Sequence, residues 1–179
     1  MQALDTKLPD VLLLETAVHQ DGRGFFTEAF RAEWLAQRGV AADWVQDNHS
    51  RSVRGVLRGL HYQPGMAKLV RVARGSIVDV LVDLRRESPA YRRWEAFELT
   101  ESNGRLVYVP DGFGHGFIVT SDIADVTYKC GAYWDPVTEG AVAWDDPDIG
   151  VDWPDAGVEP LVSDRDRAAP RLADASLPF

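Results

Sequence analysis

Four histidines occur in the chain, and two of them, His61 and His115, stand where an imidazole does chemistry. An imidazole with an ordinary pKa near ~6.5 is part-ionised around neutral pH, which suits it to taking and returning protons. His61 closes the run Gly55-Val56-Leu57-Arg58-Gly59-Leu60-His61-Tyr62-Gln63. His115 ends a stretch from Gly104 through Pro110 and Gly112, a spacing that reads as a strand, a tight Pro/Gly turn and a return strand bearing the histidine. A transition metal needs about three or four protein ligands. Next to His61 stand Tyr62 and Gln63, and the next glutamate is Glu87, so two histidines alone would leave a metal underheld. The sequence is therefore read as having no metal site, with both imidazoles free for proton transfer. His19 and His49 are read as surface or structural, and the lone Cys130 as a small buried core residue that cannot form an internal disulfide.

The elements that must position these groups are short and β-rich. From about Val56 to Trp144, β-branched and aromatic stretches alternate with Gly, Pro, Asn and Asp, the pattern of a sandwich or barrel. Strands are expected over Lys68 to Arg74, Ser76 to Asp83, Trp94 to Leu99, Arg105 to Val109, Phe117 to Thr120, Asp125 to Lys129 and Ala141 to Trp144. In Ser76 to Asp83 a period of two puts Val78, Val80 and Val82 on one face, expected to lie in a core. The other face mixes Ile77 and Leu81 with Asp79 and Asp83. Arg31 to Gln37 reads as the one helix, stopped by Gly39. Beyond Trp144 the chain turns acidic and proline-rich, read as an extended wrapping segment followed by a tail over about 167–179.

Composition narrows the function. A chain of 179 residues fits one domain. No apolar run approaches the ~18 residues of a membrane helix, and the first residues lack a secretory layout, so a cytoplasmic protein is expected. Nineteen basic against 28 acidic residues give a net charge of −9, which argues against nucleic-acid and anionic-membrane partners. An anionic small substrate would then require a local group of cations.

Residues Gly104 to His115 resemble the second cupin motif, whereas the metal ligands of the first are unmatched at His61-Tyr62-Gln63. The longer segments Asp21-Gly22-Arg23-Gly24-Phe25-Phe26, Gln46-Asp47-Asn48-His49-Ser50, Gly55 to Gln63 and Gly114-His115-Gly116-Phe117 resemble the dTDP-4-dehydrorhamnose 3,5-epimerase family, in order and spacing, from about Leu8 to about Asp166. The resemblance implies an all-β, cupin-type jelly-roll barrel with one or a few short helices, in a single domain. It also implies a homodimer with N-terminal strands crossing between subunits, a dTDP-4-keto-6-deoxyhexose substrate and no cofactor. By the same resemblance His61 is the base, Tyr128 the acid, Asp166 the carboxylate paired with the histidine, and Lys68 the cation near the keto oxygen. Arg23, Arg58 and Arg165 match positions around the nucleotide and diphosphate, where a planar guanidinium suits phosphate oxygens. Glu28, Gln46, Asp47, Asn48, His115, Tyr133 and Glu139 match further substrate contacts, with Trp134 an equal candidate for the aromatic wall.

Two departures stand out. The run Tyr62 to Ala67 is shorter than the usual family loop. Arg58 and His61 are three residues apart, which an unbroken strand would face oppositely, so a bulge is expected near Gly59. The competing readings are a single-inversion epimerase of an antibiotic deoxysugar pathway, a metal-dependent cupin enzyme and a non-catalytic sugar-binding domain.

Overall fold

The computed structural model describes residues 1–179. Its elements run β1 (Gln2–Leu4), β2 (Leu12–Glu15), β3 (Val18–Asp21), β4 (Gly24–Thr27), α1 (Ala32–Ala36), β5 (Gln46–Val53), β6 (Val56–Tyr62), β7 (Lys68–Arg74), β8 (Ser76–Asp83), β9 (Trp94–Thr100), β10 (Arg105–Val109), β11 (Phe113–Val119), β12 (Ile123–Cys130), β13 (Gly140–Ala141), β14 (Leu161–Val162) and α2 (Asp164–Arg167). One six-stranded sheet has the order β1-β2-β10-β7-β12-β5. The facing sheet has the order β13-β6-β11-β8-β9, with β14 added parallel to β6. β3 and β4 form a separate hairpin. The two sheets enclose a core of 17 buried residues that includes Val70, Val72, Ile77, Leu81, Phe117 and Val126. This is the all-β, cupin-type barrel expected, with two short helices. No helix is long and apolar enough to cross a membrane.

Period-two alternation decides which side chains enter the barrel. On β5, Gln46, Asn48, Ser50 and Ser52 point inward, and on β12 Tyr128 does so beside Cys130. β8 has its valine face in a core, as expected, but that core lies outside the barrel. Its interior face is the mixed one, with Ile77 and Leu81 in the main core and Asp79 and Asp83 fully buried. Val80 and Val82 are buried as well, but outside the barrel, under Leu172, Ala175, Leu177 and Phe179. The run read as a tail thus folds back over the sheet, and a strand covered on both faces shows no clean apolar-polar alternation. Asp146 fastens that run by accepting the Leu172 amide at 2.7 Å.

Two strand boundaries also differ. The strand expected over Ala141 to Trp144 shrinks to Gly140–Ala141. Val142 still exchanges backbone bonds with Leu60, but the Ala143 amide turns to the Pro170 carbonyl. β11 begins at Phe113 instead of Phe117, because the sequence signal was diluted by Gly114 and Gly116. Gly116 is required there: a Cβ on it would lie 2.7 Å from the Arg58 carbonyl oxygen.

The expected bulge is present. Phe117 pairs with Arg58 and His115 with His61, so two steps on β11 oppose three on β6. Arg58 and His61 therefore both face the interior, while Leu57, Leu60 and Tyr62 pack on the outside. Gly59 absorbs the extra residue at φ 136°, and a Cβ there would sit 2.5 Å from the Gly116 Cα. Gly59→Ala is expected to cost about 2–4 kcal/mol of stability, since neither backbone can yield. Urea denaturation measures this, and an unchanged midpoint would show that the close approach is not needed.

Candidate active site

The bulge on β6 delivers His61 to a cavity of about 230 Å³ between the sheets. Its partner comes from the far end of the chain. β14 docks alongside Val56 and Leu57, and Ser163 caps α2 by accepting the Asp166 amide at 3.1 Å. This places the buried Asp166 carboxylate 2.6 Å from His61 Nε2. Burial pushes the Asp166 carboxyl up, but the hydrogen bond and charge of His61, with bonds from Ser163 and the Gly59 amide, outweigh it. The carboxyl is held below its usual range. An ionised carboxylate only accepts, so Nε2 of His61 carries the hydrogen and Nδ1 is left as the basic nitrogen. On β11, His115 Nε2 lies 2.8 Å from the fully buried Asp79. The second Asp79 oxygen, Oδ1, has no hydrogen-bond partner.

The opposite wall is built from β5, β7 and β12. Tyr128 lines the cavity there, facing β6 across the barrel. Burial, reinforced by Cys130 and Glu139, pushes the Tyr128 phenol up against the opposing effects of Asn48 and Arg58, so it stays protonated and able to donate. Lys68 pairs with Cys130 across the β7–β12 ladder and lines the same cavity. Burial pushes its ammonium down, opposed by Cys130, Glu139 and Asp79. Arg58 is held by two bonds to Ser52 Oγ, at 3.2 and 3.1 Å. At the mouth, Glu139 forms an ion pair with Arg165. A base on one wall, with a phenol and a cation on the other, can remove a proton beside a carbonyl and return one from the opposite side.

Comparison with known proteins decides the family. The dTDP-4-dehydrorhamnose 3,5-epimerase family model matches residues 5–174. The chain belongs to that family. It is 46% identical over 177 residues to a dTDP-4-dehydrorhamnose 3,5-epimerase of Neisseria gonorrhoeae, covering 98% of this chain but 54% of that relative. The chain thus spans about half the length of the Neisseria relative. Against the Pseudomonas aeruginosa enzyme of the same description, identity is 46% over 180 residues, with 98% of both chains covered. A crystal structure of the Legionella pneumophila epimerase in complex with dTDP-4-keto-L-rhamnose superposes with a TM-score of 0.94 at 39% identity, covering 98% of this chain and 94% of that one.

Within this epimerase-family chain, the cavity gathers His61, Tyr128, Lys68, Arg58, Gln46, Asn48, His115 and Glu139, with Asp166 behind His61 and Arg165 at the rim. Tyr133 stands outside, in a vestibule it shares with Gln46, Trp134 and Glu139. Three residues lie elsewhere. Asp47 points to the other face of β5, where it pairs with Lys129 at 2.9 Å and lines a separate cavity of about 410 Å³. Arg23 is on the β3–β4 hairpin, paired with Asp21 at 2.6 Å, and Glu28 is paired with Arg31 at 2.7 Å. The structure adds Asp79 and Ser52, and it sets Trp134, the other candidate for the aromatic wall, in the cavity itself. Asp79 left a signal, an acid among aliphatics on β8, whereas Ser52 left none of its own.

Proposed function

We propose that the protein inverts C3 and C5 of dTDP-4-dehydro-6-deoxy-D-glucose, giving dTDP-4-dehydro-L-rhamnose. The observation that carries this reading is the His61–Asp166 pair facing Tyr128 across one cavity, with Lys68 beside Tyr128 on the same wall. Neutral His61 takes the proton beside the C4 ketone, and the C–H electron pair moves into an enolate whose oxygen rests against Lys68 and His115. Asp166 stabilises the resulting imidazolium. Tyr128 then delivers its proton to the same carbon from the opposite face, inverting it; His61 gives its proton up to solvent, the Tyr128 phenolate takes one from solvent, and the cycle repeats at the second carbon. The scheme requires no cofactor. Arg58 and Arg165 supply the local cations that a diphosphate needs against a net charge of −9.

The reading extends to a cytoplasmic homodimer. The β3–β4 hairpin exposes Phe25 and Phe26 beside Arg23, and a second copy receiving the hairpin would cover these rings and bring Arg23 and Glu28 to its own site.

Lys68 makes the reading sensitive to alkali. Its ammonium is pushed down by burial, so it loses its charge at lower pH than an exposed lysine. The expected kcat/KM profile therefore falls on its alkaline side as Lys68 deprotonates. Lys68→Arg, charged throughout, lowers the rate but removes that fall. An identical alkaline limb in the variant would assign it to another group.

The direct test is incubation with dTDP-4-keto-6-deoxyglucose in deuterated water, followed by NMR of the C3 and C5 positions. Deuterium at both carbons with an L-rhamno product supports the proposal. Label and inversion at C3 alone point to a single-inversion enzyme, and no label points to a binding domain.

A further inference from the structure

The loop joining β12 to β13 has no helix or strand of its own, yet it holds two large aromatic rings at the cavity mouth. Tyr133 is 71% exposed and Trp134 53% exposed, so burial does little to fix them. Side-chain hydrogen bonds to the loop backbone do. The Gln63 amide, only 6% exposed, donates from Nε2 to the Tyr133 carbonyl at 2.9 Å and accepts the Asp135 amide at Oε1, also at 2.9 Å. Gln46, reaching from the opposite sheet, accepts the Trp134 amide at 3.0 Å. Three successive loop residues are thus clasped by two glutamines, and the Asp135 carboxylate tightens the following turn by accepting the Val137 amide at 2.9 Å. Only a side chain with a donor and an acceptor on one planar head can hold both Tyr133 and Asp135. Glutamate would keep the Asp135 bond but face the Tyr133 carbonyl with a second acceptor.

Trp134 lines both the inner cavity and the outer vestibule, and Tyr133 the vestibule alone. Whatever is attached to a ring held between His61 and Tyr128 must leave through that vestibule, past two exposed aromatic faces. Such faces favour a planar ring. We propose that Gln63 is a positioning residue that sets this aromatic wall for the nucleobase of the substrate, separately from the proton chemistry. The inference rests on the nucleotide-sugar reading above, and the two fail differently.

The test measures dTDP affinity by calorimetry, alongside kcat and KM, for the full chain and for Gln63→Ala and Gln63→Glu. In Gln63→Ala the dTDP Kd and the KM are expected to rise together by about tenfold, as the loop loses two of the three glutamine bonds that hold it. The kcat is expected to stay within about twofold. Gln63→Glu, which keeps one bond, should fall between and guards against a variant that fails to fold. The same Gln63→Ala change in a Tyr133→Ala/Trp134→Ala background should have little further effect on Kd. Unchanged affinity in both Gln63 variants overturns the proposal, as does an equal loss persisting without the two rings. A wild-type protein that binds no dTDP removes the nucleotide reading itself, and the proposal with it.

Discussion

His61→Ala is expected to slow deuterium uptake from solvent at C3 and C5 by about 10³-fold, within the range general-base catalysis contributes. The affinity for dTDP should change little, because dTDP lacks the sugar on which His61 acts. The substitution also strands the buried Asp166 carboxylate, whose 2.6 Å partner is lost, so a fall in melting temperature should accompany the loss of exchange. A parallel Asp166→Asn/His61→Ala double variant separates the two effects, since the neutral amide relieves the stranded charge without restoring a base. Recovery of stability with no recovery of exchange is the expected result. Exchange retained at the wild-type rate in His61→Ala would remove His61 as the base.

Tyr128→Phe should separate two events that the wild-type enzyme couples. The phenol faces β6 from β12 and is held protonated by burial, so its removal takes away the proton returned from the far face, not the base that starts the reaction. Inversion is expected to fall by about 10²-fold, with solvent exchange falling no more than about tenfold. Label would then enter with the original configuration retained, as protonated His61 gives a proton back to the face it came from. NMR of the sugar after timed quenching reads both quantities in one sample. An equal loss of exchange and inversion would make Tyr128 a structural residue.

The clearest part of the site in the sequence was the geometry of β6. A spacing of three between Arg58 and His61, with a glycine between them, demanded a bulge, and the register with β11 contains it. Resemblance named Asp47 together with its two neighbours, and periodicity sets it apart from them. In the run Gln46-Asp47-Asn48 only alternate residues share a face, and the middle one turns to Lys129. That the valine face of β8 packs in a second core outside the barrel was not legible, because nothing local tells a strand that residues some ninety positions later will cover it. The role of Gln63 was not legible for the same reason: its partner carbonyl is 70 residues away, and a glutamine two places after a histidine carries no period to read.

The His61–Asp166 pair joins residues 105 apart, and the docking of β14 beside β6 secures one half of it. Molecules in which β14 and α2 have lifted from β6 lack the carboxylate at the base, so they contribute almost nothing to turnover even while the rest of the barrel stays folded. Activity per mole is then a census of docked chains. A mild defect at an anchor outside the cavity such as Val162 should read in steady-state assays as a smaller number of full-speed enzymes rather than as a uniformly slower one.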